Sequence, residues 1–306
     1  MQRTNGPQGS WLPRVDRAHS RGVTVYRLPG MASEGGTAIV LGGGGNLGAT
    51  QVGMLRALLE RGVAPDVLIG CSVGALNAAG LAADPTMTGV ERLEEVWRNL
   101  DGEAIVAPGR LSALWLLTRK YRSLQANDGL RRLIETSLPF RSFEEARIPL
   151  HIVATSLRTG GERWFSRGPV VEPILASSAL PAVFPPVEIN GELLIDGAVV
   201  NNVPISKAVD VGAKRIYVLH VGNFERPRRA PKRPLDALLQ SFSIARNYRF
   251  QAETETPPQG AELIVVPGID PGNVKYNDFG RSRELIERAY RSTAAWMDTS
   301  ARAAAN

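Results

Sequence analysis

Apolar and polar residues follow two patterns along the chain, short apolar runs and longer stretches with helical spacing. The runs are typical of buried strands, and the stretches place apolar side chains on one face of a helix. Because the two kinds of element alternate, the pattern predicts a mostly parallel sheet covered by helices on both faces. The predicted strands are residues 37–41, 66–70, 149–155, 214–220 and 262–266, and the predicted helices are about 49–61, 73–83, 88–99, 234–252 and 281–298, with a variable helical stretch over 111–136.

The chain of 306 residues is long enough to form one large domain. No linker divides residues 36–299, so we expect a single three-layer α/β/α domain there, with tails at 1–35 and 300–306. The first tail is rich in Gly, Arg, Pro and Ser and has no apolar run, which predicts a disordered or loosely attached segment. The sequence shows neither a secretory signal nor a membrane-spanning run, which favours a cytoplasmic protein.

The net charge of +6 is compatible with an anionic partner. No nucleic-acid-binding module is visible, nor a stripe of alternating aromatic and basic residues, so nucleic acid is not an expected partner. An anionic lipid surface is the simpler hypothesis for an anionic partner. The sequence does not indicate which proteins, if any, the chain binds. Solvated segments explain much of the charge without any ligand, because eight of the basic residues lie in the first tail and in one Pro-rich loop: Arg3, Arg14, Arg17, Arg21, Arg27, Arg226, Arg228 and Arg229.

A serine flanked by glycines follows the second predicted strand, in the sequence Gly70-Cys71-Ser72-Val73-Gly74. An apolar run precedes it and a helical stretch of small residues follows it. This context is typical of a nucleophile elbow, in which glycines allow a sharp bend that presents the serine hydroxyl at the start of a helix. Ser72 is therefore the candidate nucleophile. Cys71 is the single cysteine, which excludes an internal disulfide, and beside the bend it is expected to be a small buried residue.

Four consecutive glycines follow the first predicted strand, in the sequence Gly42-Gly43-Gly44-Gly45-Asn46-Leu47-Gly48. Their backbone N–H groups can approach a bound oxygen and stabilise the negative charge that develops on it. Gly43, Gly45 and Gly48 also fit the dinucleotide-binding pattern G-x-G-x-x-G. That pattern requires an acidic residue at the end of the next strand, where this chain has Gly70-Cys71-Ser72, so the nucleotide interpretation is the weaker one. A merely flexible turn would leave the neighbouring elbow unexplained.

A predicted hairpin near residue 190 ends in a carboxylate. Residues 187–189 and 192–195 flank Asn190-Gly191, a strong signal for a two-residue turn. Asp196-Gly197-Ala198 follows the second arm. An aspartate before glycine is usually a turn residue that binds its own backbone, and spacing alone favours that interpretation for Asp196.

The glycine loop, the serine elbow and Asp196-Gly197-Ala198 together resemble the three motifs of patatin-like phospholipases, in the order and spacing of the compact bacterial members. The resemblance extends to residues 176–187 and 199–204 and covers about 37–299. It implies a patatin-like fold, related to the α/β-hydrolase architecture, and a lipid acyl hydrolase that needs no cofactor or metal. No acidic loop with calcium-ligand spacing is visible.

The resemblance also implies a role for each motif. Ser72 would be the nucleophile and Asp196 the general base of a Ser-Asp dyad, and the oxyanion hole would be formed by Gly43, Gly44 and Gly45. In the family pattern G-G-G-x-[KR]-G a basic residue stands where this chain has Leu47, which leaves backbone donors unaffected but removes a side-chain cation. We therefore expect weaker activity or a shift towards less charged esters.

Two other functions remain open at this point. The order Ser72, Asp196, His220 matches the triad order of α/β-hydrolases, although His220 ends a predicted strand and is not on a long loop. The remaining histidines are His19 in the first tail and His151 at the start of a strand. A patatin-fold protein that binds or regulates lipid without turnover is the non-enzymatic alternative.

Residues 110–124 have apolar side chains at helical spacing beside basic ones. Such a segment can contact a membrane or cover an active site, although a helix packed on the sheet is the commoner explanation. If wild type and a Leu114→Glu/Trp115→Glu variant pelleted equally with liposomes, the membrane role would be excluded. The apolar positions are Leu111, Leu114, Trp115, Leu117, Tyr121 and Leu124, and the basic ones are Arg119, Lys120 and Arg122.

Overall fold

A computed structural model of the chain describes residues 25–26, 36–100, 127–181, 183–221, 230–231, 234–272 and 278–305. The strands are β1 Val25–Tyr26, β2 Thr37–Leu41, β3 Val67–Cys71, β4 Leu150–Ser156, β5 Glu162–Phe165, β6 Val187–Ile189, β7 Glu192–Asp196, β8 Arg215–Leu219 and β9 Glu262–Val265. The α-helices are α1 Gly48–Glu60, α2 Val73–Ala83, α3 Met87–Arg98, α4 Asp128–Ser137, α5 Val171–Ser177, α6 Ile205–Asp210, α7 Pro234–Glu255 and α8 Ser282–Ala305. Short 3-10 turns span Gly45–Leu47, Phe143–Glu145 and Gly197–Val199.

The strands described above form one sheet in the order β1-β9-β8-β2-β3-β4-β7-β6, with β5 also paired to β4. The run from β9 to β4 is parallel throughout. The antiparallel pairs lie outside it, with β1 on one edge and β5, β7 and β6 towards the other. The prediction of a mostly parallel central sheet is thereby confirmed.

Helices cover both faces of the sheet, which confirms the three-layer arrangement. Ile39 and Leu41 of β2 pack into a large apolar core with α1, α2, α3 and α8. The alternate residues Ala38 and Val40 pack on the opposite face, against α6 and Phe250 of α7. Both faces of β2 are fully buried, as expected for a central parallel strand, which reads as a continuous apolar run.

Two elements lie wholly or partly in the segments that the sequence analysis assigned to tails. The first tail contributes β1, whose Val25 pairs with Ile264 at the sheet edge, and α8 continues past residue 299 to Ala305. Of the stretch 111–136, the structure describes only the part that contains α4, so the amphipathic residues 110–124 lie outside the described residues. None of the helices in the described ranges is long and apolar enough to cross a membrane.

The candidate motifs meet at one edge of the sheet. Strands β2 and β3 are adjacent and parallel, with Leu41 paired to Gly70. Their carboxyl ends therefore lie side by side, and the chain continues from them into the glycine loop and into Ser72. Ligands of open α/β sheets bind outside the carboxyl ends of the strands, so the topology brings two of the three motifs to the expected place.

Candidate active site

Ser72 occupies a strained bend between β3 and α2. Its φ of +54° and ψ of −126° lie in a region that non-glycine residues rarely adopt. Hydrogen bonds fix this conformation, because the Ser72 N–H donates to Ser177 Oγ at 2.8 Å and the Ser72 carbonyl accepts from the Ala75 N–H at 2.8 Å. The strand, the sharp bend at Ser72 and the helix that the sequence predicted are thus all present.

The flanking glycines are needed for close packing. A Cβ atom on Gly70 would lie 2.6 Å from the Cα of Ala75, and one on Gly74 would lie 2.1 Å from the carbonyl oxygen of Leu41. Both contacts are with backbone, which cannot move aside without shifting a strand or a helix. The glycines therefore let α2 begin directly against β2 and β3, and this packing aims the Ser72 side chain outward.

Asp196 ends β7 and faces Ser72 with one of its two carboxylate oxygens. Its Oδ2 accepts a hydrogen bond from Ser72 Oγ at 2.7 Å. Its Oδ1 accepts from the Ala198 N–H at 2.8 Å, which is the local turn bond that an Asp-Gly sequence predicts. The Asp196 carbonyl in turn accepts from Thr155 Oγ1 at 2.9 Å. The same side chain thus forms the turn and reaches the serine.

Burial makes the Asp196 carboxyl a stronger base than an ordinary aspartate. Only 2% of the residue is exposed, and desolvation raises its pKa to about 6, although the Ala198 N–H, the Ser72 hydroxyl and the charge of Arg246 all act to lower it. The carboxyl is therefore mostly ionised at neutral pH. It is also closer in pKa to a useful general base than a solvent-exposed carboxylate would be.

Activity that depends on the Asp196 carboxylate should decline as the pH falls through about 6. The raised pKa means that the folded state binds this proton more readily than the unfolded state, so protonation of Asp196 stabilises the fold as pH falls from about 6 to 3.8. Protonation of Asp196 therefore does not unfold the protein, and a loss of activity between pH 6 and pH 3.8 cannot be assigned to such unfolding. A pH profile of kcat/KM, with circular dichroism at each pH, checks this. A profile that stays flat below pH 6 in folded protein would contradict it.

The glycine loop presents only part of its backbone to the site. The Gly43 N–H donates to the Asn202 carbonyl at 3.1 Å, so this donor already has an acceptor. Gly43 instead allows close packing, since a Cβ there would lie 2.9 Å from the Cβ of Ser72. Gly44 and Gly45 line the cavity that also contains Ser72. Of the three glycines that the resemblance implied, these two are therefore the better candidates for oxyanion donors.

A buried side-chain network holds the glycine loop at both ends. Gln51 Nε2 donates to the carbonyl oxygens of Gly42 and Leu219 at 2.7 and 3.0 Å. Asn77 Nδ2 donates to the Gly48 carbonyl at 3.0 Å and to Gln51 Oε1 at 2.9 Å. The motifs gave no sign of these residues, because an amide on a helical apolar face has no local signal for what it binds.

The Asn77 amide is itself held in place. Trp97 Nε1 donates to Asn77 Oδ1 at 2.8 Å, and the Trp97 ring stacks on Phe279 with 6.1 Å between centroids. The side chains of Asn77 and Trp97 are almost fully buried, where an unmet polar group is costly. The network therefore fixes the loop geometry on which any backbone oxyanion hole depends.

His220 does not lie between serine and carboxylate, and Cys71 Sγ donates to Asp196 Oδ1 at 4.0 Å, the oxygen that Ser72 does not bind. His220 is buried and its ring stacks on Phe250 at 4.7 Å, and burial, with the charge of Arg246, lowers its pKa to about 3. No imidazole separates Ser72 from Asp196, because the two side chains bind each other directly. Burial, followed by the nearby Asp196 charge, raises the pKa of the Cys71 thiol well above its ordinary value, which disfavours a thiolate nucleophile.

The family model for patatin-like phospholipase matches residues 39–209 of the chain. The chain belongs to the patatin-like phospholipase family. It is 30% identical over 199 residues to mouse patatin-like phospholipase domain-containing protein 7, an alignment that covers 64% of this chain and 14% of that protein. It is 25% identical over 287 residues to lysophospholipase nte1 of Aspergillus terreus, covering 85% of this chain and 18% of that protein. The chain thus spans less than a fifth of these relatives' length.

VipD from Legionella pneumophila is similar with a TM-score of 0.47 and 13% identity, over 93% of this chain and 72% of that chain. The family match confirms the resemblance drawn from the three motifs. The matched segment contains the glycine loop, Ser72 and Asp196.

A cavity of about 520 Å³ opens over Ser72 and Asp196 in this patatin-like domain. Its volume lies in the range of small-molecule sites, which are mostly apolar with a few placed polar groups. In the described ranges no three His, Cys, Asp or Glu side chains come together to hold a metal ion. Most of the lining is apolar and comes from the helices on one face of the sheet, including Leu76, Leu93, Val96, Trp97, Leu130 and Ile134.

Proposed function

We propose that this patatin-like protein hydrolyses acyl esters of phospholipids or related lipids through a Ser72–Asp196 dyad. The observation that carries the proposal is the hydrogen bond of 2.7 Å from Ser72 Oγ to Asp196 Oδ2, in the wall of an apolar cavity. Family membership supports a lipid ester as the substrate, and the relatives that bear the name lysophospholipase support a single-chain lipid as one such ester.

In the first step, Ser72 Oγ attacks the ester carbonyl carbon while its proton passes to Asp196 Oδ2. The carbonyl oxygen becomes an oxyanion, which the N–H groups of Gly44 and Gly45 would stabilise. The start of α2 at Val73 adds positive potential at the same place. The tetrahedral intermediate then collapses, the proton on Asp196 passes to the departing alcohol oxygen, and an acyl-Ser72 ester remains.

In the second step, water attacks the acyl-Ser72 ester and Asp196 accepts the proton of that water. The oxyanion forms again at the glycine loop and collapses to release the fatty acid, and the proton returns to Ser72 Oγ. A carboxylate is a weak base for a serine hydroxyl, so the preformed oxyanion hole must supply much of the rate enhancement. The buried side chains of Gln51 and Asn77 hold the glycine loop in place through hydrogen bonds to its carbonyl groups.

The acyl chain would occupy the apolar part of the cavity, between α2, α3 and α4. Peripheral contact with an anionic membrane surface is part of the proposal, since a two-tailed lipid must leave a bilayer to reach this cavity. The segment proposed for that contact, 110–124, lies outside the described residues.

A lipid panel tests the proposed function. The full-length protein is incubated with phospholipids, lysophospholipids and neutral glycerides, fatty acid release is measured by mass spectrometry, and a Ser72→Ala variant serves as the blank. We expect release from at least one phospholipid or lysophospholipid and none from the blank. If folded wild-type protein releases no more fatty acid than Ser72→Ala from any lipid, the hydrolase proposal is wrong and a non-catalytic lipid-binding role is favoured.

A further inference from the structure

Two arginines line the cavity within the described part of the chain, and they lie on different helices. Arg92, on α3, donates to Asp84 Oδ2 at 3.1 Å, and Asp84 also accepts from Arg147 at 3.1 Å. Arg246, on α7, is half-buried in the wall that also contains Ser72 and Asp196. Its positive charge acts on the site itself, since it lowers the pKa of the Asp196 carboxyl.

The position of Arg246 follows from how α7 packs. Phe242, one turn earlier on the helix, packs against the cluster of Cys71, Val153 and Ala198, in which Cys71 precedes Ser72 and Ala198 lies two residues after Asp196. The helix also contacts the Gly197–Val199 turn. Side chains four residues apart lie on the same helix face, so Arg246 follows Phe242 along the rim of the site.

The next turn of α7 is anchored. Arg249 Nη1 donates to the Val200 carbonyl, and Arg249 Nη2 donates to Glu162 Oε1 at 3.1 Å. The opposite face of the same helix is turned to solvent, with Ile244 51% and Tyr248 75% exposed. The orientation of α7 is therefore fixed, and it is the face bearing Arg246 that adjoins the cavity.

The glycine loop of this chain has no cation at the position where the motif G-G-G-x-[KR]-G has one. Leu47 occupies that position and packs against the apolar core, and it does not line the cavity. A positive side chain reaches the site from another element, α7. An arginine is well suited to binding a phosphate group, because its planar guanidinium group can donate to two phosphate oxygens at once.

We propose that Arg246 binds the phosphate group of the substrate and makes the enzyme prefer esters on a phosphate-bearing headgroup. The proposal rests on the proposed hydrolase function and names its substrate class. It replaces the expectation, drawn from Leu47 alone, of a shift towards less charged esters. The apolar cavity would hold the acyl chain while Arg246 holds the phosphate on the other side of the scissile ester.

A matched pair of substrates tests the proposal. Palmitoyl-lysophosphatidylcholine and palmitoylglycerol have the same acyl ester and differ in the phosphate headgroup. At about pH 8, where the Asp196 carboxyl is ionised with or without Arg246, Arg246→Gln should lower kcat/KM for the lysophospholipid by roughly 10- to 100-fold. The rate with palmitoylglycerol should stay within about threefold, and Arg246→Lys should recover part of the loss. Arg291→Gln, an exposed arginine on α8, is the control for lost charge.

A binding measurement separates this proposal from the hydrolase proposal. In a Ser72→Ala background, Arg246→Gln should raise the Kd for dodecylphosphocholine, below micelle formation, by roughly tenfold or more and leave the Kd for dodecylglycerol unchanged. If the wild type cleaves neither ester, the lipid panel above decides the hydrolase proposal and this binding difference alone decides the role of Arg246. Equal losses on both esters, or no change in either substrate or in Kd, would overturn the role assigned to Arg246.

Discussion

Replacing Asp196 by asparagine should lower kcat for ester hydrolysis by roughly 10²- to 10⁴-fold, the contribution typical of a general base. Asparagine has nearly the same shape and can still bind the Ala198 N–H, but it cannot accept the serine proton. KM should change little, because Asp196 contributes one small part of the cavity wall. Initial rates with a soluble ester, over a range of substrate concentrations, measure both quantities.

Stability separates the loss of a base from a loss of structure. Desolvation of the charged carboxyl is the largest contribution to the raised pKa of Asp196, so a neutral amide removes an unfavourable buried charge. The melting temperature of Asp196→Asn at about pH 8 should therefore equal or exceed that of the wild type. A large fall in melting temperature would mean that the turn at Ala198 had been disrupted and that the kinetic loss could not be assigned to catalysis.

His220→Gln is the matched control for the dyad. His220 is buried, and its ring stacks on Phe250 on the face of the sheet away from the main core. The variant should retain most of the esterase activity, whereas Ser72→Ala should abolish it. If a folded His220→Gln protein lost as much activity as Asp196→Asn, a Ser-Asp-His triad would replace the dyad.

Gly44→Ala should lower kcat by roughly 10²- to 10³-fold, the cost of losing one oxyanion-hole donor. The new Cβ would lie 1.8 Å from Val221 Cγ2, so either the loop or Val221 must move. Movement of the loop displaces the N–H groups of Gly44 and Gly45 from the reacting carbonyl. Steady-state kinetics should show a loss mainly in kcat, because the donors act most strongly on the transition state.

Two further variants test the cause of that loss. Gly161→Ala adds the same methyl group where the nearest atom is Thr159 Oγ1 at 3.4 Å, and it should be close to neutral. Val221→Ala removes the methyl group that Gly44→Ala would strike, so the double variant should recover part of the rate. Full activity of Gly44→Ala alone would show that this loop does not stabilise the oxyanion.

Long buried elements were predictable from the sequence. Apolar runs and helical spacing placed β2, β3 and α2 within one or two residues of their observed bounds. Each of these elements is buried along most of its length, so its residues are mainly apolar or small and indicate the element clearly. Short elements that depend on neighbours were missed, such as β5, which is half-buried and held by pairing with β4, and the helix α6 of six residues.

The candidate site shows the same division between local and long-range information. Sequence reasoning found Ser72 because the strand, bend and helix that position it are contiguous. For Asp196 the local pattern predicted only a turn, which is correct for Oδ1, and nothing local indicates that Oδ2 meets a serine 124 residues earlier in the chain. Ser177, which binds the Ser72 N–H across 105 residues, has no local signal at all.

The central claim is that Ser72 is a nucleophile activated by Asp196. Labelling with a fluorophosphonate probe, with the modified peptide located by mass spectrometry, tests it directly. We predict covalent labelling of Ser72 in the wild type and labelling slower by at least about 10²-fold in Asp196→Asn. Failure of folded wild-type protein to label at Ser72, or equal labelling rates in the two proteins, would contradict it.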